Sequence, residues 1–122
     1  MKLYICNHCK NIITYLENTG VPVMCCGEKM KEIAPNTFDG ATEKHLPVYN
    51  VEGNLVKVTI GSVEHPMVSD HYIKWIIVET NLGYQIKYLQ PDTKPYAEFV
   101  LSDNENVTGV YEFCNKHGVW KA

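Results

Sequence analysis

The sequence predicts an all-β protein, an antiparallel β-sandwich preceded by a small segment stapled by metal. Three observations carry that expectation. From about residue 45 onward, apolar and polar residues alternate in short runs. Clusters of turn-forming residues separate those runs, and no convincing helical periodicity interrupts them. Four of the five cysteines fall between residues 6 and 26, in a stretch with little else to hold it together.

The first domain is expected over residues 1–36, with "CNHC", "MCCGEKM" and one short strand candidate, "NIITYLE". So short a segment buries too little apolar surface to offset backbone ordering, which costs about 1–2 kcal/mol per residue. Cys6 and Cys9 form a CxxC, and Cys25 and Cys26 an adjacent pair. A CxxC knuckle turns two thiolates toward one ion, and the second pair completes a tetrahedral sulfur shell suited to zinc or a single iron. Adjacent cysteines ordinarily point in different directions, so a distorted tetrahedron is expected. Two disulfides, or a redox CxxC beside unrelated thiols, are the alternatives; a reducing compartment favours metal. His8, inside the knuckle, is read as a solvent-facing bystander, since four thiolates already fill the shell.

"APNTFDGA", with Pro35 and Gly40, reads as a connector, and the second domain is expected over residues 37–122. "NLVKVTIGSV" alternates, as does "HYIKWIIVET", which sets Tyr72, Lys74 and Ile76 on one face and Ile73, Trp75 and Ile77 on the other. "YQIKYL", "YAEFVL" and "VTGVYEFC" continue the series, punctuated by "VEGN", "NLG", "QPDTKP" and "SDNEN". Short helical turns are compatible with residues 37–44 and 67–71. No repeat or low-complexity tract interrupts the pattern.

Composition narrows the function. The chain has 122 residues, 45% of them hydrophobic, with a formal charge of −3. That hydrophobic content fits a globular domain, and the charge argues against a nucleic-acid binder. No apolar run approaches the roughly 20 residues of a membrane span. The start, "MKLYICNHCK", lacks the apolar core of a signal peptide. The expectation is a soluble, intracellular protein.

The fifth cysteine is the most informative. Cys114 ends a strand in "CNKHG", with His117 three residues on and Gly118 supplying backbone freedom for the turn. Such a turn lets thiol and imidazole reach one ion while loop N–H groups hydrogen-bond the sulfur. The plainer alternative is a buried, inert cysteine beside a surface histidine. A Cys–His nucleophile pair is the third, but no oriented base or oxyanion hole is evident for it. "EKHLP", "VEHPM" and "SDHYIKW" add His45, His65 and His71, also at strand ends or turns. Each alone reads as an ordinary histidine, whereas four imidazoles and one thiol at β-domain corners suggest a shared site.

At these residues the chain resembles the desulfoferrodoxins, the two-iron superoxide reductases. The resemblance is collinear over essentially the whole chain. It rests on Cys6, Cys9, Cys25 and Cys26 together with "EKHLPV", "GSVEHPM", "HYIKWI" and "CNKHGVWKA". Leu46 stands where the family pattern has valine, an apolar exchange that leaves the ligand positions intact. The resemblance implies a desulforedoxin-like domain with iron, or substituted zinc, on the four cysteines. It also implies an immunoglobulin-like sandwich holding a second iron through His45, His65, His71 and His117 in a plane, with Cys114 axial. Lys44 would attract superoxide, and Glu43 would occupy the sixth position after oxidation; without the family pattern both read as a solvated charged turn. A cytoplasmic homodimer re-reduced by a rubredoxin-type donor is implied as well.

The chemistry suits the residues. Neutral imidazoles stabilise ferrous iron, and an axial thiolate pushes electron density toward the opposite position, favouring release of the reduced product. The expected reaction takes superoxide, one electron and two protons to hydrogen peroxide, without releasing oxygen. A zinc-stapled β-sandwich binding module and a non-haem iron electron carrier are the competing readings.

Overall fold

In the first segment, backbone turns rather than a core organise the chain. The computed structural model describes all residues, 1–122. They form two compact units, Met1–Ala34 and Pro35–Ala122. The first holds five two-residue strands, β1 (Tyr4–Ile5), β2 (Ile12–Ile13), β3 (Met24–Cys25), β4 (Glu28–Lys29) and β5 (Lys31–Glu32). They pair antiparallel as β2-β1-β5 and β3-β4. Its buried apolar set is small: Leu3, Cys6, Met30 and Ile33. The "NIITYLE" candidate shortens to Ile12–Ile13, the length over which β1 (Tyr4–Ile5) pairs with it.

The second unit opens with one helical turn, α1 (Thr42–His45). Seven strands follow: β6 (Pro47–Glu52), β7 (Leu55–Ile60), β8 (Ile73–Thr80), β9 (Gly83–Tyr88), β10 (Tyr96–Val100), β11 (Val107–Cys114) and β12 (Gly118–Lys121). They form two antiparallel sheets, β10-β7-β6 and β12-β11-β8-β9. The all-β, immunoglobulin-like sandwich expected from the sequence is therefore the fold. Of the two helical turns considered, the first forms as α1; residues 67–71 make a tight turn closed by a Val68–His71 bridge. No helix is long and apolar enough to cross a membrane.

The alternation in β7 buries Val56, Val58 and Ile60, which meet Phe99 of β10, Ile76 and Val78 of β8, and Val110 and Cys114 of β11. Burying such side chains contributes about 1.5–3 kcal/mol each. Truncating a fully buried ring such as Phe99 costs about 3–5 kcal/mol.

One alternation departs from the expected pattern. Strict period two groups Ile73 with Trp75 and Ile77, yet Ile73 packs in the core with Ile76 and Val78. The ladder between β8 and β11 shifts register there: Trp75 pairs with Phe113, but Ile73 pairs with Cys114. An extra residue, Lys74, is accommodated in β8, so the residues before it change face. Trp75 instead stacks on Phe113, with ring centroids 5.5 Å apart. The irregularity sits at the strand ends that carry His71 and Cys114.

Candidate metal centres

The antiparallel order brings five separate chain positions to one end of the sandwich. His45 closes α1 just before β6, His65 lies between β7 and β8, and His71 precedes β8. Cys114 ends β11, and His117 sits in the turn to β12. Ladder pairs Pro47–Ile60, Ile73–Cys114 and Cys114–Gly118 fix these ends side by side. One ligand atom from each of His45, His65, His71, Cys114 and His117 can be chosen so that all lie within 4.8 Å of one another.

The imidazoles form a closed cycle. Ring centroids are 4.8 Å apart for His45–His65 and for His65–His71, 5.1 Å for His71–His117 and 4.8 Å for His45–His117. Interplanar angles between 75° and 89° stand each ring edge-on to the next. Backbone carbonyls set the tautomers. Nδ1 of His45 donates to the Ala41 carbonyl at 2.7 Å, and Nδ1 of His65 to the Pro66 carbonyl at 2.6 Å. A carbonyl only accepts, so each ring keeps its Nε2 lone pair free. Nε2 of His65 and Nε2 of His71 are buried without a hydrogen-bond partner. Nδ1 of His117 faces Nε2 of His45 at 3.0 Å and the Cys114 sulfur at 3.7 Å.

Burial shapes the protonation states. It lowers the pKa values of His45 and His71 and takes His65 down to about 4, so these three imidazoles stay neutral and able to ligate at neutral pH. Burial raises the Cys114 thiol, opposed by the backbone N–H groups of Lys116 and His117, which favour the thiolate. Orphaned lone pairs converging on an imidazole cycle with a buried sulfur beside it are what a soft-to-borderline metal ion satisfies. The donor set fits iron.

Close packing holds the rings. Trp120 stacks on His45 with centroids 4.9 Å apart, and its Nε1 donates to the His117 carbonyl at 3.0 Å. A Cβ on Gly40, whose φ is +154°, would lie 3.0 Å from Cε1 of His45 and 3.3 Å from Cγ of His117. The Glu43 carbonyl accepts from the Val63 N–H at 2.9 Å, tying α1 to the turn that leads to His65. Glu43 and Lys44 themselves are exposed, on the same turn as His45.

Three residues of this centre had no role in the sequence reading. Trp120 and Asn115 border the site, and Glu112 is fully buried with neither carboxyl oxygen partnered. Burial pushes the Glu112 carboxyl up to about 9. Its signal in the sequence is parity: in "VTGVYEFC" it shares a face with Val110 and Cys114.

In the first unit the four sulfurs of Cys6, Cys9, Cys25 and Cys26 also lie within 4.8 Å of one another. The CxxC turn closes with the Lys10 N–H donating to the Cys6 carbonyl at 3.0 Å, Lys10 adopting φ +67°. Adjacent cysteines converge because Cys25 ends a strand while Cys26 and Gly27 form its hairpin turn, both with positive φ (51° and 77°). The left-handed step redirects the Cys26 side chain toward the other sulfurs. The backbone N–H of Cys9 lowers the Cys6 thiol to about 6, whereas crowding by the sulfurs of Cys9 and Cys6 raises Cys25 to about 12. A cation among them resolves that crowding. No cysteine is in a disulfide. His8 stays outside the cluster, 3.1 Å from the Glu28 carboxylate.

Comparison with known proteins agrees with both centres. A family model for desulfoferrodoxin matches residues 37–122. A curated desulfoferrodoxin of Nitratidesulfovibrio vulgaris is 45% identical over 122 residues, spanning 99% of this chain and 94% of the relative. The crystal structure of the superoxide reductase from Treponema pallidum aligns with a TM-score of 0.82 at 38% identity, covering 100% of this chain and 99% of that one. A superoxide reductase (1Fe-SOR) from Giardia intestinalis aligns with a TM-score of 0.56 at 32% identity, over 66% of this chain and 95% of that one.

Proposed function

The chain belongs to the desulfoferrodoxin family, and from that premise we infer that it is a superoxide reductase with two mononuclear iron sites. The observation that carries the reading is the convergence of five donors on one point, with Nε2 of His65 and of His71 buried and unpartnered. A structural zinc staple accounts for Cys6, Cys9, Cys25 and Cys26 but gives those imidazoles no purpose.

The reaction takes one superoxide, one electron and two protons to one hydrogen peroxide. Iron held by His45, His65, His71, Cys114 and His117 would supply the electron, and five protein donors would leave room beside it for a small anion. The residues do the rest. The carbonyls of Ala41 and Pro66 hold His45 and His65 in the tautomers that keep Nε2 available. Loop N–H groups of Lys116 and His117 hold charge on the Cys114 sulfur. Exposed Lys44 draws the anionic substrate toward the centre. The chain is net acidic, but within a Debye length of about 8 Å one lysine outweighs distant charge. Glu43, exposed on the same turn, would offer a carboxylate to the centre once it is oxidised.

The four-cysteine centre takes electrons from a rubredoxin-type donor; its support is the exposure of Cys9 and Cys26. A homodimer is supported by exposed Tyr84, Ile86 and Tyr88 along β9 and Leu82 in the turn before it, and cytoplasmic residence by five thiols outside any disulfide.

Pulse-generated superoxide tests the reading on iron-loaded protein. The expected result is one peroxide per superoxide consumed, with no oxygen evolved. Oxygen release in a one-to-one ratio with peroxide marks dismutation, and no superoxide consumption marks a carrier or binding module; either sinks the proposal.

A further inference from the structure

We propose that Asn115 is a positioning residue of the five-donor centre, locking the loop that carries Cys114 and His117 to the segment that carries His71. The inference rests on the superoxide reductase reading and deepens it.

Two side-chain hydrogen bonds make the lock, beside one main-chain bond that any residue at 115 would keep. Asn115 Nδ2 donates to the Asp70 carbonyl at 3.0 Å, the Tyr72 N–H donates to Asn115 Oδ1 at 2.9 Å, and the Asn115 N–H donates to the Tyr72 carbonyl at 3.2 Å. These partners flank His71 on both sides. The reason lies in the ladder: the β8–β11 register shifts at Cys114–Ile73, and past the shift the main-chain bond from the Asn115 N–H to the Tyr72 carbonyl carries the pairing one residue further. A side-chain amide adds to the pairing there. It alone among short side chains offers both an N–H donor for residue 70 and an oxygen acceptor for residue 72. Aspartate lacks the donor, serine is too short to reach both partners, and glutamine is one methylene too long.

Asn115 is exposed, so water competes for these bonds and their net stability is modest, about 1 kcal/mol each. Their consequence is geometric. The N–H groups of the next two residues, Lys116 and His117, are those that point at the Cys114 sulfur. Releasing Asn115 lets that loop swing, which alters the angle of the N–H groups to sulfur and the spacing of His71 from His117. The neighbouring Lys116–Asp70 pair, 3.9 Å apart and exposed, is too weak to replace the lock.

The test uses the full-length, iron-loaded protein. Asn115→Ala is compared with wild type and with Val58→Ala, a mid-strand cavity in the opposite sheet that lowers stability but removes no hydrogen bond of the loop. The readouts are the Cys114-to-iron charge-transfer absorption of the oxidised site and the affinity of that site for iron in competition with a chelator. The expected outcome is a displaced band and an affinity about 10- to 100-fold lower for Asn115→Ala, with both unchanged in Val58→Ala and the four-thiolate absorption unchanged throughout. If Asn115→Ala does not fold, Asn115→Ser gives the same displacement. A wild-type band and affinity in the Asn115 variants, or an equal shift in Val58→Ala, overturns the proposal. Absence of any Cys114-to-iron band in wild type overturns the superoxide reductase reading, and this inference with it.

Discussion

Nε2 of His45 lies 3.0 Å from Nδ1 of His117, although α1 and the β11–β12 turn are remote in sequence. The His45 ring is held from behind by the Ala41 carbonyl and from one face by Trp120, which also binds the His117 carbonyl. Two nitrogens so fixed and so close share an ion more readily than a proton.

Removing one of them therefore breaks the centre. His45→Ala is expected to lower iron affinity there by at least about 100-fold, reducing iron from two to one per chain. Metal analysis after gel filtration checks this. The absorption of the four-thiolate site serves as the internal control and is expected to persist.

Lys44→Ala is expected to slow reaction with superoxide by roughly 3–10-fold at low ionic strength, with the difference closing at high salt. Pulse radiolysis across a salt series reads it. An unchanged second-order rate at low salt removes Lys44 from any steering role.

Metal-stripped protein is expected to lose stability as acidity rises. Burial takes His65 from its ordinary 6.5 to about 4, so between those values the unfolded chain binds a proton that the folded chain refuses. The stabilisation is complete above the ordinary value and declines as pH falls through the window. It amounts to about 1–3 kcal/mol after solvent screening. Urea unfolding of the stripped protein at pH 7 and pH 4.5 measures the slope, and His65→Phe flattens it.

Glu112 has the opposite sign. Its folded pKa is raised from 4.5 to about 9, so the folded chain keeps a proton that the unfolded chain releases, and stability falls as pH climbs across that span. Glu112→Gln is expected to stabilise the protein at pH 8 by roughly 3–6 kcal/mol relative to its effect at pH 4. Paired denaturation curves at the two pH values decide; equal effects at both mean the carboxyl is ionised in the folded state.

The donors of this chain, and the class of fold that carries them, are legible in the order of its residues. Alternation at period two forces strands, clustered thiols demand a cation where no core exists, and "CNKHG" brings a sulfur and an imidazole into one turn by local geometry alone. Family motifs extended the expectation to Lys44, Glu43 and the remaining histidines. Whatever depends on register and burial emerges only once the strands are packed. Ile73 changes face because an extra residue enters β8 opposite Cys114, and period-two counting has no means of sensing a bulge. Tautomers follow from which carbonyl happens to lie behind each ring. Cys25 and Cys26 converge through a left-handed turn that the residue pair does not announce. Glu112, Asn115 and Trp120 acquire their roles from neighbours distant in sequence. Donor chemistry is local to a residue, but desolvation and alignment belong to the packed whole.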